Sequence, residues 1–301
     1  MKSRWHGVFP AVTTQLKQDQ SLDLDATARH IDTLIASGVD GLIMLGSLGE
    51  NQSLEPEEKR LVIRTAIEVC AGRIPVLSGV AENSTAAAVR YARDMETGGA
   101  DGLMLLPAMV YKADAREAMT HFRTVARSCG LPIIVYNNPI SYTVDITPEM
   151  FAELADEPGL VAIKESSGNV RRITDIINTV GDRYTLFAGV DDLILESVLL
   201  GAQGWIAGVG LAFPQENQYL WELAISGKWE QAREIYRWYT PLLHLDIPVK
   251  FVQYIKLMVQ ECGLGTEWVR APRLPIEGKE RADVLAIIRR GIESRPDLPR
   301  R

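Results

Sequence analysis

A lysine inside an apolar run is the residue of this chain with the clearest chemical potential. Lys164 follows Leu-Val-Ala-Ile at residues 160–163, a run typical of a parallel strand that is buried on both faces. Burial disfavours the ammonium form, so it lowers the lysine pKa and leaves a neutral amine, which is a nucleophile able to form a Schiff base with a 2-oxo acid. The same residue can instead end a strand with its ammonium in solvent, or pair with a buried carboxylate such as Glu165.

Other reactive groups also follow predicted strands. Gly-Ser-Leu-Gly-Glu at residues 46–50 combines the hydroxyl of Ser47 with glycines that free backbone N–H groups to face an anion. Tyr136 ends another strand, where a phenol can transfer protons, although a tyrosine that only packs against a neighbouring strand has the same pattern. Two more predicted strands end at Gly189 and Gly208, which leave room for a ligand or for tight turns.

The elements that position these residues alternate between strand and helix. Short apolar runs alternate with segments of helical periodicity, and no dinucleotide-binding glycine fingerprint follows the first strand. The pattern predicts a (β/α)₈ TIM barrel, a fold of about 250 residues, rather than a doubly wound sheet. The predicted strands cover residues 7–14, 41–46, 75–80, 102–107, 132–137, 160–165, 184–189 and 204–208; the helices between them cover 24–37, 56–70, 84–97, 114–128, 147–155, 170–180 and 191–200.

Helical periodicity continues after the last strand. The sequence predicts a barrel over residues 1–226 and a helical extension packed on it over residues 227–301. Aromatic residues recur on these helices at helical spacing, which favours packing in the core or between subunits. The four helices cover residues 215–226, 228–244, 249–262 and 279–292, and the aromatic residues are Trp221, Trp229, Tyr236, Trp238 and Tyr239.

Composition and charge exclude several classes of partner. The 301 residues carry a formal net charge of −7 and no long basic run, which excludes nucleic acid, and no apolar stretch is long enough to span a bilayer. The first residues lead into a strand with no apolar signal segment, and the three cysteines are far apart in sequence. We therefore expect reduced thiols and a cytoplasmic protein.

The histidines do not form a metal-binding pattern. Four are present, at His6, His30, His121 and His244, and they form neither a His-x-His nor a His-Glu-x-x-His pair. We expect no metal, although a metal-dependent barrel enzyme remains the main enzymatic alternative. Two alternatives without catalysis are a regulatory barrel that binds a 2-oxo acid and an interaction scaffold that uses the aromatic helices.

Four segments, in order along the chain, resemble the signature segments of the dihydrodipicolinate synthase/N-acetylneuraminate lyase family. They are residues 46–50, 136–139, 163–169 and 201–206, and residues 247–250 resemble that family's C-terminal helical segment. The resemblance extends from residue 7 to about residue 274. It implies a barrel with a helical extension, usually assembled as a homotetramer built from two dimers. It also implies a lyase that joins a lysine of the sixth strand to pyruvate or another 2-oxo acid, with no added cofactor.

The resemblance assigns a role to individual residues. Lys164 corresponds to the nucleophile and Tyr136 to the proton-transfer residue. Ser47 and the backbone of Leu48 and Gly49 correspond to the group that binds the substrate carboxylate. The remaining predicted substrate-binding positions are Asn138, Gly189 and Ile206.

Departures from the family pattern concern the substrate. Ser141 occupies the position of an arginine that grips the aldehyde substrate's carboxylate in the lysine-biosynthetic synthase, and Ser47 and Leu48 replace a threonine pair. Met109 aligns with a tyrosine that serves a proton relay between subunits, and Tyr111 lies two positions further on. The departures predict a catabolic relative, such as an aldolase, dehydratase or deaminase. Its substrate would be a 2-keto-3-deoxy sugar acid or 1-pyrroline-4-hydroxy-2-carboxylate, with 4-hydroxy-tetrahydrodipicolinate synthase as the alternative.

Overall fold

Eight parallel strands form a closed barrel in the computed structural model, which describes residues 5–299. Neighbouring strands pair in the order β1-β8-β7-β6-β5-β4-β3-β2. Ring closure between the first two strands uses Val12 N–H, which donates to Ile43 O at 2.9 Å, and Ile43 N–H, which donates to Pro10 O at 3.0 Å. The predicted (β/α)₈ barrel is confirmed. The strands are β1 Gly7–Val8, β2 Leu42–Met44, β3 Val76–Val80, β4 Gly102–Leu105, β5 Ile133–Asn137, β6 Leu160–Glu165, β7 Thr185–Ala188 and β8 Gly204–Trp205.

Helices follow each strand, and most lie where the periodicity predicts them. The predicted limits of residues 56–70 agree with the observed helix, and the other long helices differ by a few residues at their ends. One helix was not predicted, the single turn that follows β5. The helices are α1 Leu24–Ala36, α2 Pro56–Cys70, α3 Thr85–Thr97, α4 Ala115–Ala126, α5 Pro139–Tyr142, α6 Pro148–Glu153, α7 Arg171–Val180, α8 Ile194–Leu199, α9 Pro214–Ile225, α10 Trp229–Leu243, α11 Phe251–Glu261 and α12 Gly278–Glu293.

The first strand is shorter than the predicted span of residues 7–14. After Val8 the extended chain divides its hydrogen bonds between two neighbours. Ala11 N–H donates to Ala207 O at 2.8 Å on the β8 side, whereas Pro10 and Val12 bond to the β2 side. The bonds to the β8 side continue past Pro10, since Phe9 N–H also donates to Trp205 O at 2.8 Å. Pro10 has no N–H to donate to the β2 side, so a bond is missing there, and the segment closes the barrel by bonding to both neighbours.

The helical extension is tied to the barrel by a buried ion pair. Lys256 on α11 lies 2.8 Å from Glu50, and both side chains are fully buried. Lys256 also donates to Thr14 O at 2.9 Å, and Arg270 N–H donates to the Glu50 carboxylate at 2.9 Å. The contact fixes the turn after β2 from the side of the extension. The predicted domain boundary, between residues 226 and 227, falls between the end of α9 and the start of α10 and stays a prediction.

Two of the predicted aromatic residues are buried in the core of this region. Trp221 is 4% exposed and Tyr239 is 0% exposed, and Tyr239 stacks on Trp238. Between residues 5 and 299 no helix has the length and apolar character needed to cross a membrane. Residues 1–4, where the sequence predicts no apolar signal segment, and residues 300–301 lie outside the described residues.

Candidate active site

Strand register places the predicted nucleophile beside the predicted proton-transfer residue. Tyr136 on β5 is paired with Lys164 on β6, and Lys164 Nζ lies 4.2 Å from the centre of the Tyr136 ring. Successive side chains of a strand point to opposite faces, so the next residues, Asn137 and Glu165, meet on the other face. There Asn137 Nδ2 donates to Glu165 Oε2 at 3.0 Å. Glu165 therefore supports the strand pair and is not the partner of Lys164.

Lys164 and Tyr136 line a cavity of about 630 Å³ at the C-terminal ends of the strands, where barrel enzymes bind their substrates. The cavity brings together seven of the eight predicted site residues. Gly49 is the exception, since it lies in the turn that carries Ser47 and Leu48 but does not contribute to the described wall. The seven are Ser47, Leu48, Tyr136, Asn138, Lys164, Gly189 and Ile206.

Burial dominates the electrostatics of Lys164. Removal from water lowers the pKa of its amine, because the ammonium form loses its hydration. The negative charge of Asp246 and, more weakly, Tyr142 and Asp191 act in the opposite direction. The net result is a lysine pKa below its ordinary value, which favours a nucleophilic amine.

Tyr136 is held as a neutral phenol. Burial raises the pKa of its hydroxyl, and the hydrogen bond that Asn138 Nδ2 donates to it at 3.1 Å works against that rise. Ser166 Oγ lies nearby, buried and without a hydrogen bond of good geometry. A neutral phenol can hold a proton or pass it on, and Ser166 has hydrogen-bonding capacity left for a ligand.

A third aromatic residue of the site, Tyr142, was missed by the sequence analysis. It ends α5, the unpredicted turn, whose N-cap Asn138 accepts a hydrogen bond from Ser141 N–H at 3.0 Å. The Tyr142 ring meets the Tyr136 ring edge to face at 5.5 Å between centroids, and its hydroxyl is hydrogen-bonded to Ser47 Oγ. The available signal was asparagine followed by Pro139, a cap followed by a residue suited to the first helical turn.

Met109 and Tyr111, the two positions considered for the family's second tyrosine, both lie outside this cavity. Tyr111 is 61% exposed, and its hydroxyl donates to Glu117 at 3.2 Å. Met109 borders a neighbouring cavity of about 790 Å³. Among residues 5–299, the tyrosine that touches Tyr136 is Tyr142.

The turn after β2 has the character of an anion site. Leu45 and Glu50 both adopt the left-handed conformation, with φ of 56° and 54°, which is unusual for residues with a side chain. Asn51 Nδ2 donates to Leu45 O at 2.9 Å and holds this backbone in place. No described residue accepts a hydrogen bond from the backbone N–H of Leu48 or Gly49. These groups are therefore available to a carboxylate.

The two glycines at the ends of β7 and β8 make room for side chains of the protein itself. A Cβ atom on Gly189 would lie 2.0 Å from Ser166 Oγ and 2.8 Å from Lys164 Cε. A Cβ atom on Gly208 would lie 2.7 Å from Asp246 Oδ1. Each glycine thus admits a polar side chain to the cavity, one of which is the lysine.

The described side chains do not bring together the ligands that a metal ion needs. Within the described part of the chain, histidine, cysteine, aspartate and glutamate side chains form no group of three or more able to hold a metal ion. The buried carboxylates near Lys164 lie among tyrosine, tryptophan and backbone groups instead.

Known proteins share both the sequence pattern and the fold. Residues 4–290 match the Dihydrodipicolinate synthetase family. The chain belongs to this family. It is 34% identical over 278 residues to the 4-hydroxy-tetrahydrodipicolinate synthase of Archaeoglobus fulgidus, which covers 90% of this chain and 92% of the relative. The resemblance inferred from the sequence is confirmed, and the chain is a lyase of the dihydrodipicolinate synthetase family.

Two solved structures of relatives contain pyruvate. One is the chloride-inhibited dihydrodipicolinate synthase of Acinetobacter baumannii complexed with pyruvate, with a TM-score of 0.91 and 26% identity over 95% of this chain and 98% of that one. The other is YagE, a prophage protein of E. coli K12 in complex with pyruvate, with a TM-score of 0.90 and 29% identity over 96% and 99% of the two chains.

Proposed function

We propose that Lys164 forms a Schiff base with pyruvate or another 2-oxo acid, and that Tyr136 transfers protons to and from the adduct. The observation that carries the proposal is the buried amine 4.2 Å from a buried tyrosine ring in a cavity at the strand ends. The pyruvate complexes of two relatives support the choice of ligand.

The proposed reaction begins at Lys164 Nζ. The neutral amine attacks C2 of the 2-oxo acid, and the carbinolamine loses water to give an iminium ion. The iminium withdraws electrons, so C3 can lose a proton to give an enamine, or the C3–C4 bond can break and leave its electron pair on C3. A proton returned to C3 and hydrolysis of the iminium by water release the product and the free amine.

Binding and proton transfer are assigned to neighbours of the lysine. The carboxylate of the acid binds Ser47 Oγ and the backbone N–H groups of Leu48 and Gly49. These two N–H groups have no acceptor among the described residues, and Ser47 Oγ is hydrogen-bonded to Tyr142. Tyr142 bridges Ser47 and Tyr136, so the three hydroxyl groups form a path for protons. Asn138 orients Tyr136, and Ile206 forms an apolar part of the wall.

A second candidate is condensation of pyruvate with aspartate semialdehyde, as in 4-hydroxy-tetrahydrodipicolinate synthase. The names of the relatives favour it. The composition of the cavity opposes it, because Ser141 is exposed at the position matched to the family's arginine and no arginine contributes to the described wall. Formation of the cyclic product from purified enzyme, pyruvate and aspartate semialdehyde would decide for this candidate.

The decisive test of the Schiff base is borohydride trapping. Wild-type protein, Lys164→Ala and the exposed-lysine control Lys279→Ala are incubated with pyruvate, 2-keto-3-deoxygluconate or 1-pyrroline-4-hydroxy-2-carboxylate and then reduced. Intact mass and peptide mapping should place the adduct on Lys164 in the wild type and in the control, and Lys164→Ala should show none. A folded wild-type protein that traps none of the acids would overturn the proposal.

Assembly and location complete the proposal. We propose a homotetramer in the cytoplasm, supported by large apolar side chains exposed near the two cavities and by three cysteines that form no disulfide with one another. The native mass in solution tests the assembly. The exposed apolar residues that line the two cavities are Ile140, Ile247, Val249 and Leu274.

A further inference from the structure

Asp246 is a carboxylate of the cavity that the proposed reaction does not use. It ends a short 3₁₀ turn in the helical extension, His244–Asp246, and lines the same cavity as Lys164. Its Oδ1 occupies the space that a side chain at residue 208 would need, so Gly208 opens the way for it. The extension thus contributes a charged group to a cavity whose proposed nucleophile lies on a barrel strand.

A second aspartate nearby shows what a structural carboxylate looks like in this fold. Asp191 accepts hydrogen bonds from Trp205 Nε1 at 2.9 Å, Gly208 N–H at 3.0 Å and Val209 N–H at 2.7 Å. Its hydrogen-bonding capacity is used in holding the end of β8. By contrast, no residue between 5 and 299 donates a hydrogen bond to Asp246. Asp246 is half-buried in the cavity wall, so its carboxyl oxygens are left for a ligand to bond.

The charges around Asp246 restrict the chemistry of that partner. The charged side chains of the described cavity wall are Lys164, Asp192 and Asp246. Lys164 is assigned to the imine. The Asp192 carboxylate already has a partner in the protein, because it lies 3.6 Å from His244 Nε2. A substrate with a second carboxylate beside Asp246 would face two aspartates and no free cation of the described wall, which is unfavourable.

We propose that the substrate carries hydroxyl groups on the carbons beyond its 2-oxo group, and that Asp246 hydrogen-bonds one of them and so selects hydroxylated 2-oxo acids. This inference rests on the proposed Schiff-base function of the same cavity. A carboxyl group can form a hydrogen bond with a hydroxyl group in either protonation state, as acceptor when ionised and as donor when protonated. Burial and the charge of Asp191 raise the pKa of Asp246, so both states are relevant to its role.

The test measures imine formation, which does not depend on the later reaction. Concentrations for half-maximal borohydride trapping are compared for pyruvate, 2-keto-3-deoxygluconate, 2-oxopentanoate and 2-oxoglutarate. The proteins are the wild type, Asp246→Ala, Asp246→Asn and the exposed control Asp283→Asn, which lies on the same extension outside the cavity. Thermal unfolding of each variant verifies that it folds.

The wild type should prefer the hydroxylated acid to 2-oxoglutarate. Asp246→Ala should weaken trapping of the hydroxylated acid by about tenfold relative to pyruvate and 2-oxopentanoate. The ratio removes the effect that loss of the Asp246 charge has on Lys164, which is common to all of the acids. Asp246→Asn should retain most of the affinity, because an amide still bonds a hydroxyl, and Asp283→Asn should match the wild type. Failure of pyruvate to trap would refute the Schiff base itself. With pyruvate trapping intact, three results would each overturn the role of Asp246: preference for 2-oxoglutarate, an equal loss with every acid, or equal losses in the alanine and asparagine variants.

Discussion

Lys164 and Tyr136 are both buried, and burial acts on their pKa values in opposite directions. It lowers the pKa of the amine and raises that of the phenol, because in each case the charged form is the one that loses hydration. Both groups are thereby biased toward their neutral forms. A neutral amine can attack a carbonyl carbon, and a neutral phenol keeps a proton that it can deliver to the adduct.

The first prediction at the residue scale concerns pH. The pKa of Lys164 lies below its ordinary value, so the neutral amine should dominate above that lowered pKa and be lost as pH falls through it. The rate of trapping with pyruvate, measured across pH, should rise to a plateau with a midpoint below the value of about 10.4 for an exposed lysine. A midpoint at or above that value would show that burial does not activate this amine.

The second prediction separates the roles of Tyr136 and Lys164. Tyr136→Phe retains the ring beside Lys164 but removes the hydroxyl, so turnover should fall by about 10² or more while pyruvate still forms an adduct on Lys164. Steady-state kinetics and borohydride trapping on the same preparation measure the two effects. Turnover close to that of the wild type would reduce Tyr136 to a packing role.

At the scale of elements, two local structures arrange these side chains. The short helix α5 presents Tyr142 to Ser47, and its cap, Asn138, also bonds Tyr136. The left-handed turn after β2 presents backbone N–H groups, and its Glu50 is held by Lys256 of the extension. The turn proposed to bind the substrate carboxylate is thus held in part by an element outside the barrel.

The third prediction tests that dependence. Lys256→Met removes the cation that is hydrogen-bonded to the buried Glu50 carboxylate and leaves Arg273, 3.8 Å away, as its other cation. The free energy of unfolding should fall by about 3–5 kcal/mol in urea titrations. The exposed pair of Lys279 and Asp283 provides the control, and Lys279→Met should cost less than about 1 kcal/mol. Equal effects of the two substitutions would mean that the buried pair does not secure the turn.

Across the whole molecule, one chain supplies all three hydroxyl groups of the proposed proton path. Ser47 and Tyr136 lie on barrel strands and their turns, and Tyr142 reaches them from the same barrel. In the family pattern that the sequence resembles, the second tyrosine serves a relay between subunits. Here the exposed Tyr111 lies outside the cavity, and Tyr142 takes the place beside Tyr136.

The fourth prediction uses mixed oligomers. Chains with Lys164→Ala and chains with Tyr142→Phe, carrying different tags, are co-expressed, and assemblies holding both are purified through the two tags. Tyr142→Phe alone should slow turnover by about tenfold, the effect of one lost hydrogen bond. If Tyr142 acts in the active site of its own chain, every site in the mixed assembly carries one of the two substitutions. Activity should then not exceed the mean of the activities of the two single variants. Activity above that mean would assign the tyrosine to a neighbouring subunit.

Much of the arrangement was predictable from local pattern. Continuous apolar runs predict strands buried on both faces, and helical periodicity predicts the helices, so the barrel and the placement of Lys164 and Tyr136 on adjacent strands follow from the order of elements. The limits of the first and last strands were less predictable. Both pairings depend on neighbours far away in the chain, and the proline at residue 10 has no N–H to donate to the β2 side.

The sequence by itself determined the fold, the strand that carries Lys164 and the turn that carries Ser47, because these depend on periodicity and on residue types that are close in the chain. The tertiary structure alone decided which distant residues contact them. Tyr142 reaches Ser47 across 95 residues of sequence, and Lys256 reaches Glu50 across 206. Asp246 enters the cavity because Gly208 lacks a side chain. Such contacts arise from packing between distant segments, which no local pattern encodes.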